Sequence, residues 1–89
     1  MSKLVAREYE IVDADRPPDM VIRIEWRGDD AWCVSLRGDV LTKDGNWQHE
    51  PLPSSRTTAF KAWTRWPTVS AAHQAYDKFV SDYGEFMCL

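Results

Sequence analysis

The most regular alternation of apolar and polar residues lies between Met20 and Arg27. Apolar residues occupy every second position, through Ile22 and Ile24 to Trp26, with mostly charged residues between them. Side chains of an extended strand point alternately to opposite faces, so this period of two places the apolar set on one face of a sheet. The pattern predicts a β-strand that begins at Met20.

Turn residues and further alternation extend this strand into a series of hairpins. Arg27–Asp30 predicts a turn, after which positions 32, 34 and 36 are apolar. Arg37-Gly38-Asp39 and the Asp-Gly pair at 44 and 45 also favour turns, because these residue types tolerate the backbone angles of tight loops. The sequence therefore predicts further strands at positions 40–41 and 47–50, besides an N-terminal strand within residues 4–12.

The segment after Pro51 allows two local interpretations. Ser55 could cap a short helical turn over Arg56 to Phe60, which would make the segment partly helical. Residues 61–66 could instead form a strand, because every second residue there would align on one face. We favour a turn followed by a strand.

An amphipathic helix is predicted over residues 68–83. Pro67 and Thr68 provide its start and Gly84 its end, and the tail 85–89 is apolar enough to fold back on the core. Apolar residues recur at intervals of three, four and seven, which is the spacing of one helix face. They are Val69, Ala72, Tyr76, Phe79, Val80 and Tyr83.

These elements predict an α+β fold for a single domain over residues 1–89. A small antiparallel sheet of three to five strands would carry one C-terminal α-helix packed on one face, since each element must bury its apolar side. The opposite face would be exposed. It would present Arg23, Glu25 and Arg27 from one strand beside Cys33, Ser35 and Arg37 from the next.

Composition supports a folded domain outside the membrane. Of the 89 residues, 44% are hydrophobic and 28% are charged, which is typical of a globular protein. The net charge of -3 comes from the two ends, because residues 21–66 carry 7 basic and 6 acidic side chains. Without an apolar run of about 18 residues or an apolar N-terminal segment, we expect a cytoplasmic protein with no membrane partner.

Residues suited to catalysis or metal binding are sparse. The histidines and cysteines stand at positions 33, 49, 73 and 88, without the paired spacing of a metal site. The serines lack a nucleophile-elbow motif, and each of the 4 glycines falls at a predicted turn or helix end. We therefore expect a non-enzymatic protein without a cofactor or a metal.

The run TKDGNWQHEPLPSSRTTAF, followed by TRWPTVSAAHQAY, resembles the middle of short uncharacterised proteins from actinobacteria and their phages. The resemblance covers about half of the chain. It implies a host range and a fold, and it attaches no activity to any residue. The residues that carry it are Asp44, Gly45, Trp47, Pro51, Pro53, Ser54, Ser55 and Arg56.

Three antiparallel strands followed by a helix are also similar to the DNA-binding domain of plant ethylene-response factors and to phage integrase arm-binding domains. Those domains enter the major groove with arginines and tryptophans on the exposed sheet face. By this resemblance Arg23, Arg27 and Arg37 would contact DNA. The chain departs from the pattern at Glu25, which sits among the arginines, and it lacks dense basic strands.

Tryptophan and arginine beside a stiff loop give the leading functional hypothesis, a phage or actinobacterial accessory protein that binds a host protein. These residue types often dominate interface energies, and prolines lower the entropy lost when a loop docks. The predicted contact residues are Trp47, Pro51, Pro53, Arg56 and Trp63, together with the sheet edge. The alternative is that Trp47 is buried against Trp63 and that Arg56 forms only a surface ion pair. DNA binding through the sheet face is the second hypothesis, and a homodimer through a sheet edge is a further expectation.

Overall fold

Five strands form one antiparallel sheet in the computed structural model, which describes residues 2, 4–12 and 21–83. The strands are β1 (Glu8–Ile11), β2 (Ile22–Trp26), β3 (Trp32–Leu36), β4 (Asp39–Leu41) and β5 (Trp47–His49). Their order in the sheet is their order along the chain, so each strand pairs with its sequence neighbour. The sheet and the C-terminal helix confirm the predicted α+β fold.

Helical segments follow the sheet, and threonines cap two of them. The segments are a short 3-10 helix (Pro53–Ser55), α1 (Thr58–Thr64) and α2 (Val69–Tyr83). The hydroxyl of Thr57 accepts a hydrogen bond from the amide of Phe60, and the hydroxyl of Thr68 accepts one from the amide of Ala71. These bonds satisfy first-turn amides that have no partner within the helix.

The turn between β3 and β4 consists of Arg37 and Gly38 alone. Their φ angles are 51° and 85°, and two consecutive residues at positive φ match a type I′ turn. The twist of a type I′ turn matches the twist of the paired strands, and the turn requires a positive φ at its first central residue. The two-residue loop therefore sets the φ angle of Arg37. Arginine is an uncommon residue at such an angle, because its Cβ crowds the backbone there.

Helix α2 packs on the sheet face that holds Ile22, Ile24, Val34 and Leu41, as the spacing predicts. Its own contribution to this core is Ala72, Tyr76 and Phe79, all of which are buried. The partly buried residues around them include Trp32, Trp47 and Trp66. The amphipathic pattern of the helix therefore identified its buried face correctly.

The opposite sheet face is not exposed along β3, and the prediction of an open charged face is wrong there. Cys33 and Ser35 are buried, and so is Val40 beside them on β4. Charged side chains from Glu50, at the end of β5, and from Arg65, after α1, lie close to the Cys33 thiol. The chain that follows β5 thus returns over this face.

The strand predicted for residues 61–66 is also wrong, because most of that segment belongs to α1. Thr57 caps the helix, and the alanines and lysine inside it are good helix formers. Beyond the helix, Trp66 forms only an isolated bridge with Trp32, through backbone hydrogen bonds of 2.8 Å in both directions. The local period of two there does not mark a strand.

Several sequence predictions lie outside the described residues. These are the connector before the second strand, the start of that strand at Met20, the helix end at Gly84 and the apolar tail 85–89 that contains Cys88.

Candidate functional site

Strands β1 and β5 are the two edges of the sheet, and the backbone hydrogen bonds of β1 show which of its groups face outward. The amide of Trp26 donates to the carbonyl of Arg7 at 2.9 Å, so residues 7 and 26 form a hydrogen-bonded pair. Hydrogen-bonded and non-bonded pairs alternate in an antiparallel ladder, so Glu8 and Glu10 sit at non-bonded pairs with β2. Their N–H and C=O groups therefore point away from the sheet, where no strand of the described part pairs with β1.

Exposed apolar side chains concentrate on this edge. Among the described residues, the large hydrophobic side chains exposed to solvent are Leu4, Val5, Tyr9, Val12, Leu52 and Trp63. The first four belong to residues 4–12, the segment that contains β1. Unpaired backbone groups beside exposed apolar side chains are a template for pairing with another chain, and proteins usually protect such edges.

The two faces of β1 differ in chemistry. Glu8 and Glu10 lie on one face with Arg23 of β2, which is 3.7 Å from the carboxylate of Glu8 and directly opposite Glu10 in the register. On the other face, the ring of Tyr9 lies 6.0 Å from the ring of Trp32 and remains 43% exposed. The edge therefore presents carboxylates on one side and an aromatic ring on the other.

Trp47 packs against the core. Its ring meets Phe79 edge to face, with the ring centroids 5.7 Å apart and the planes at 82°. Trp47 is partly buried against Phe79, whereas the alternative stated from the sequence placed it against Trp63. Trp63 instead lies on α1 with 45% of its surface exposed.

Arg56 is held beside the loop and is only 18% exposed. Its Nε donates to the carbonyl of Pro51 at 2.9 Å and lies 3.6 Å from the carboxylate of Glu50. Pro53 is exposed at the start of the 3-10 helix. The structure therefore does not join Trp47 and Arg56 into one exposed surface, because each is occupied by contacts within the domain.

Glu50 is the centre of a partly buried charge network in the described part of the chain. Its side chain is 8% exposed, and its carboxylate accepts hydrogen bonds from Arg27 at 2.8 Å and from Arg65 at 2.5 Å. Arg27 also lies 3.5 Å from Glu25, whose carboxylate accepts a hydrogen bond from the hydroxyl of Ser35. These contacts tie β2 and β3 to the segment after β5.

The network shifts the pKa values of its members. Burial by itself would raise the pKa of Glu50, but the hydrogen bonds from Arg27 and Arg65 hold it below its ordinary value. Burial would likewise lower the pKa of Arg27, but its hydrogen bond to Glu50 raises that pKa above the ordinary range. Each charged form is therefore stabilised by its partner, as expected of a structural ion pair.

The three arginines predicted to contact DNA do not form one surface. Arg23 is exposed on β2, Arg27 belongs to the Glu50 network, and Arg37 lies in the turn after β3 and not on that strand. The two-residue hairpin loop removes Arg37 from the alternation that placed it beside Arg27. The predicted row of arginines on two strands is therefore wrong at Arg27, which is bound within the domain, and at Arg37, which lies in a turn. DNA binding itself stays a prediction.

An open pocket of about 380 Å³ lies between α2 and the turn that joins β4 to β5. Apolar groups of Leu41, Trp66 and Phe79 line it, together with two lysines and two aspartates among other residues. Lys78 pairs with Asp82 on the same helix at 2.5 Å. Since the cationic and anionic groups balance, the pocket's charge favours neither an anion nor a cation.

The described residues contain no group of three or more histidine, cysteine or acidic side chains that could hold a metal ion. Burial raises the pKa of the Cys33 thiol to about 11, so this thiol is protonated near neutral pH and is a poor nucleophile. None of the helices in the described ranges is long and apolar enough to cross a membrane.

Comparisons of the chain with protein-family models, curated proteins and solved structures find no match. The resemblances to actinobacterial and phage proteins and to DNA-binding domains therefore stay predictions.

The sequence predicted contact through a sheet edge without identifying β1 as that edge, and it gave no sign of the role of Glu50. The signal for the edge is that β1 comes first in a series of sequentially paired strands, which places it at the border of the sheet. No comparable signal marks Glu50, because its partners Arg27 and Arg65 stand 23 and 15 positions away along the chain.

Proposed function

We propose that this domain binds a partner protein by adding an extended segment of that partner to the sheet beside β1. The observation that carries the proposal is the edge itself, where Glu8 and Glu10 direct backbone donors and acceptors outward among exposed apolar residues. Strand addition uses such groups, since main-chain hydrogen bonds supply affinity and alternate side chains supply specificity. The domain would then act as a binding module and not as an enzyme.

The short β1 segment suits this kind of binding. Val5, Tyr9 and Val12 are more than two-fifths exposed, so an added strand could cover their apolar surface while bonding to the outward-facing backbone groups. The loop predicted from the sequence is a weaker candidate, because Trp47 packs on Phe79 and Arg56 is bound to Pro51. Leu52 and Trp63, in the segment that follows β5, remain exposed.

The test uses extended peptides selected against the purified domain from a random displayed library. We expect the selected peptides to shift the backbone NMR signals of Glu8 and Glu10 and to protect their amides from hydrogen exchange. Glu10→Pro should weaken binding by about tenfold or more, because proline removes an outward donor. Glu10→Gln is the matched control and should retain the main-chain contribution to binding.

Residue 10 forms no ladder hydrogen bond with β2, so the proline variant should keep the fold, and its thermal midpoint verifies this. If that variant fails to fold, hydrogen exchange at Glu8 and Glu10 in the unmodified protein still decides the question. Peptides whose binding leaves both amides unprotected, or a selection that yields no binder, would contradict the proposal. A mobility shift of duplex DNA that persists in Glu10→Pro would favour the DNA hypothesis.

A further inference from the structure

We infer that the partner strand carries lysine or arginine at the positions opposite Glu8 and Glu10 and an apolar residue between them, opposite Tyr9. This inference rests on the proposed strand addition and names the chemistry of its partner. Charged and apolar groups are separated between the two faces of β1, and this separation defines the expected partner.

The carboxylates of Glu8 and Glu10 are two residues apart and therefore lie on the same face of β1. Both residues are exposed. On the neighbouring strand Arg23 faces them and lies 3.7 Å from Glu8, while Glu25 is engaged by Arg27 and Ser35. On this face one nearby guanidinium thus serves two carboxylates, which leaves a net negative charge there, while Arg7 lies on the other face over Trp26.

An added strand would bring its own side chains close to these carboxylates. Directly opposed residues of paired strands have Cβ atoms about 4.5 to 5.5 Å apart, so opposite charges there attract and like charges repel. A partner with lysine or arginine opposite Glu8 and Glu10 would complete the charge pairing that Arg23 begins. An acidic partner strand would instead place carboxylates beside carboxylates.

The same geometry disfavours a second copy of this chain as the occupant. In antiparallel self-pairing of β1, Glu8 can face Glu8 or Glu10 of the other copy, and Glu10 can face Glu10. Each of these three registers puts carboxylates opposite one another, which is destabilising. The acidic edge therefore favours a different, basic chain over a homodimer.

The opposite face selects an apolar residue. The ring of Tyr9 rests against Trp32 with part of its surface open, and the guanidinium of Arg7 lies 3.9 Å above the ring of Trp26. A β-branched side chain opposite Tyr9 would cover the exposed part of that ring, as aromatic and β-branched residues do across strands. The resulting partner pattern alternates cationic and apolar residues.

The experiment compares three blocked peptides, Ac-SVKVKVS-NH2 and its counterparts with glutamate or glutamine in place of lysine, on the full chain at low salt. We expect the lysine peptide to bind about tenfold or more tightly than the glutamate peptide. The double variant Glu8→Lys with Glu10→Lys should reverse that preference. Added salt should weaken the lysine peptide but not the glutamine peptide.

The outcomes separate this inference from the proposed function. Equal binding of all three peptides that is lost in Glu10→Pro would overturn the charge inference and leave strand addition intact. Equal binding of the lysine peptide to Glu10→Pro and to its charge-matched control Glu10→Gln would show that binding uses no main-chain hydrogen bond at residue 10, and would overturn both. Absence of measurable binding by the lysine peptide at millimolar concentration, or a homodimer in sedimentation that Glu10→Pro abolishes, would also overturn the inference.

Discussion

Replacement of Glu50 by glutamine should destabilise the domain through the charges it leaves behind. The substitution keeps the shape of the side chain and removes its negative charge. Arg27 and Arg65, which donate to the carboxylate, and Arg56, 3.6 Å away, would then face a neutral amide. Breaking a buried ion pair by removing one partner is costly because the remaining charge is left without compensation.

The expected loss is about 3 kcal/mol, at the lower end of the range for buried pairs. Glu50 and Arg65 each expose only 8% of the side chain, so their pair resembles a buried ion pair more than a surface one. Arg27 and Arg56 keep about a fifth of their surface in water, so solvent offsets part of their loss. A domain of 89 residues has a total stability of about 4 to 13 kcal/mol, so the change is a large fraction of it.

Urea unfolding of the unmodified chain and of Glu50→Gln measures this loss, with the exposed Glu10→Gln as the matched control. The control should change stability by less than about 0.5 kcal/mol. A loss below about 1 kcal/mol for Glu50→Gln would refute the argument, since it would place this carboxylate among exposed ion pairs. A double-mutant cycle with Arg65→Met should show coupling, because the two residues share one contact.

The pH dependence supplies a second test of Glu50. Its folded-state pKa lies below the ordinary value of 4.5, so its contribution to stability is complete well above that pH. As the pH falls below 4.5 and through the lowered pKa, the carboxylate is protonated and the contribution is lost. The stability difference between the unmodified chain and Glu50→Gln should therefore be constant near neutral pH and shrink in acid. If the stability difference between the two chains instead grows as the pH falls, the pKa of Glu50 is not lowered by folding.

Three further substitutions or reactions test the core, a turn and the buried thiol. Phe79→Ala should lower the free energy of unfolding by about 3 to 5 kcal/mol, whereas His73→Ala on the exposed helix face should leave it nearly unchanged. Equal losses of stability in denaturant unfolding would show that the buried face of α2 is assigned wrongly. Arg37→Asn should raise stability by about 0.5 to 1 kcal/mol, because asparagine tolerates the positive φ of the type I′ turn better than arginine does. A lower thermal midpoint would show that Arg37 is not strained at this position. In a Cys88→Ser background, Cys33 should react with Ellman's reagent at pH 8 about a hundredfold more slowly in the folded chain than in urea, since burial raises its pKa to about 11. Rapid reaction in the folded chain would mean that the thiol is accessible.

The sequence determined the elements whose signals are local. The period of two in β2 and the helical spacing from Val69 to Phe79 predicted both buried faces, because residues close in the chain lie on a common face of a regular element. The turn residues placed the hairpins for the same reason. Together these local signals identified the fold class, an antiparallel sheet with one C-terminal helix on its core face.

Only the tertiary structure decided which of the remaining surfaces are free. The chain after β5 brings Glu50 and Arg65 over the second sheet face, so Arg27 is bound internally and Cys33 is buried. Packing against Phe79 likewise removed Trp47 from the predicted contact surface. These outcomes depend on contacts between distant residues, and the periodicity of a single segment carries no information about what will cover its polar side. The outward-facing groups of β1 could be identified only from the tertiary structure for the same reason. Among the described residues, β1 has a strand neighbour on one side only, which makes it an edge strand.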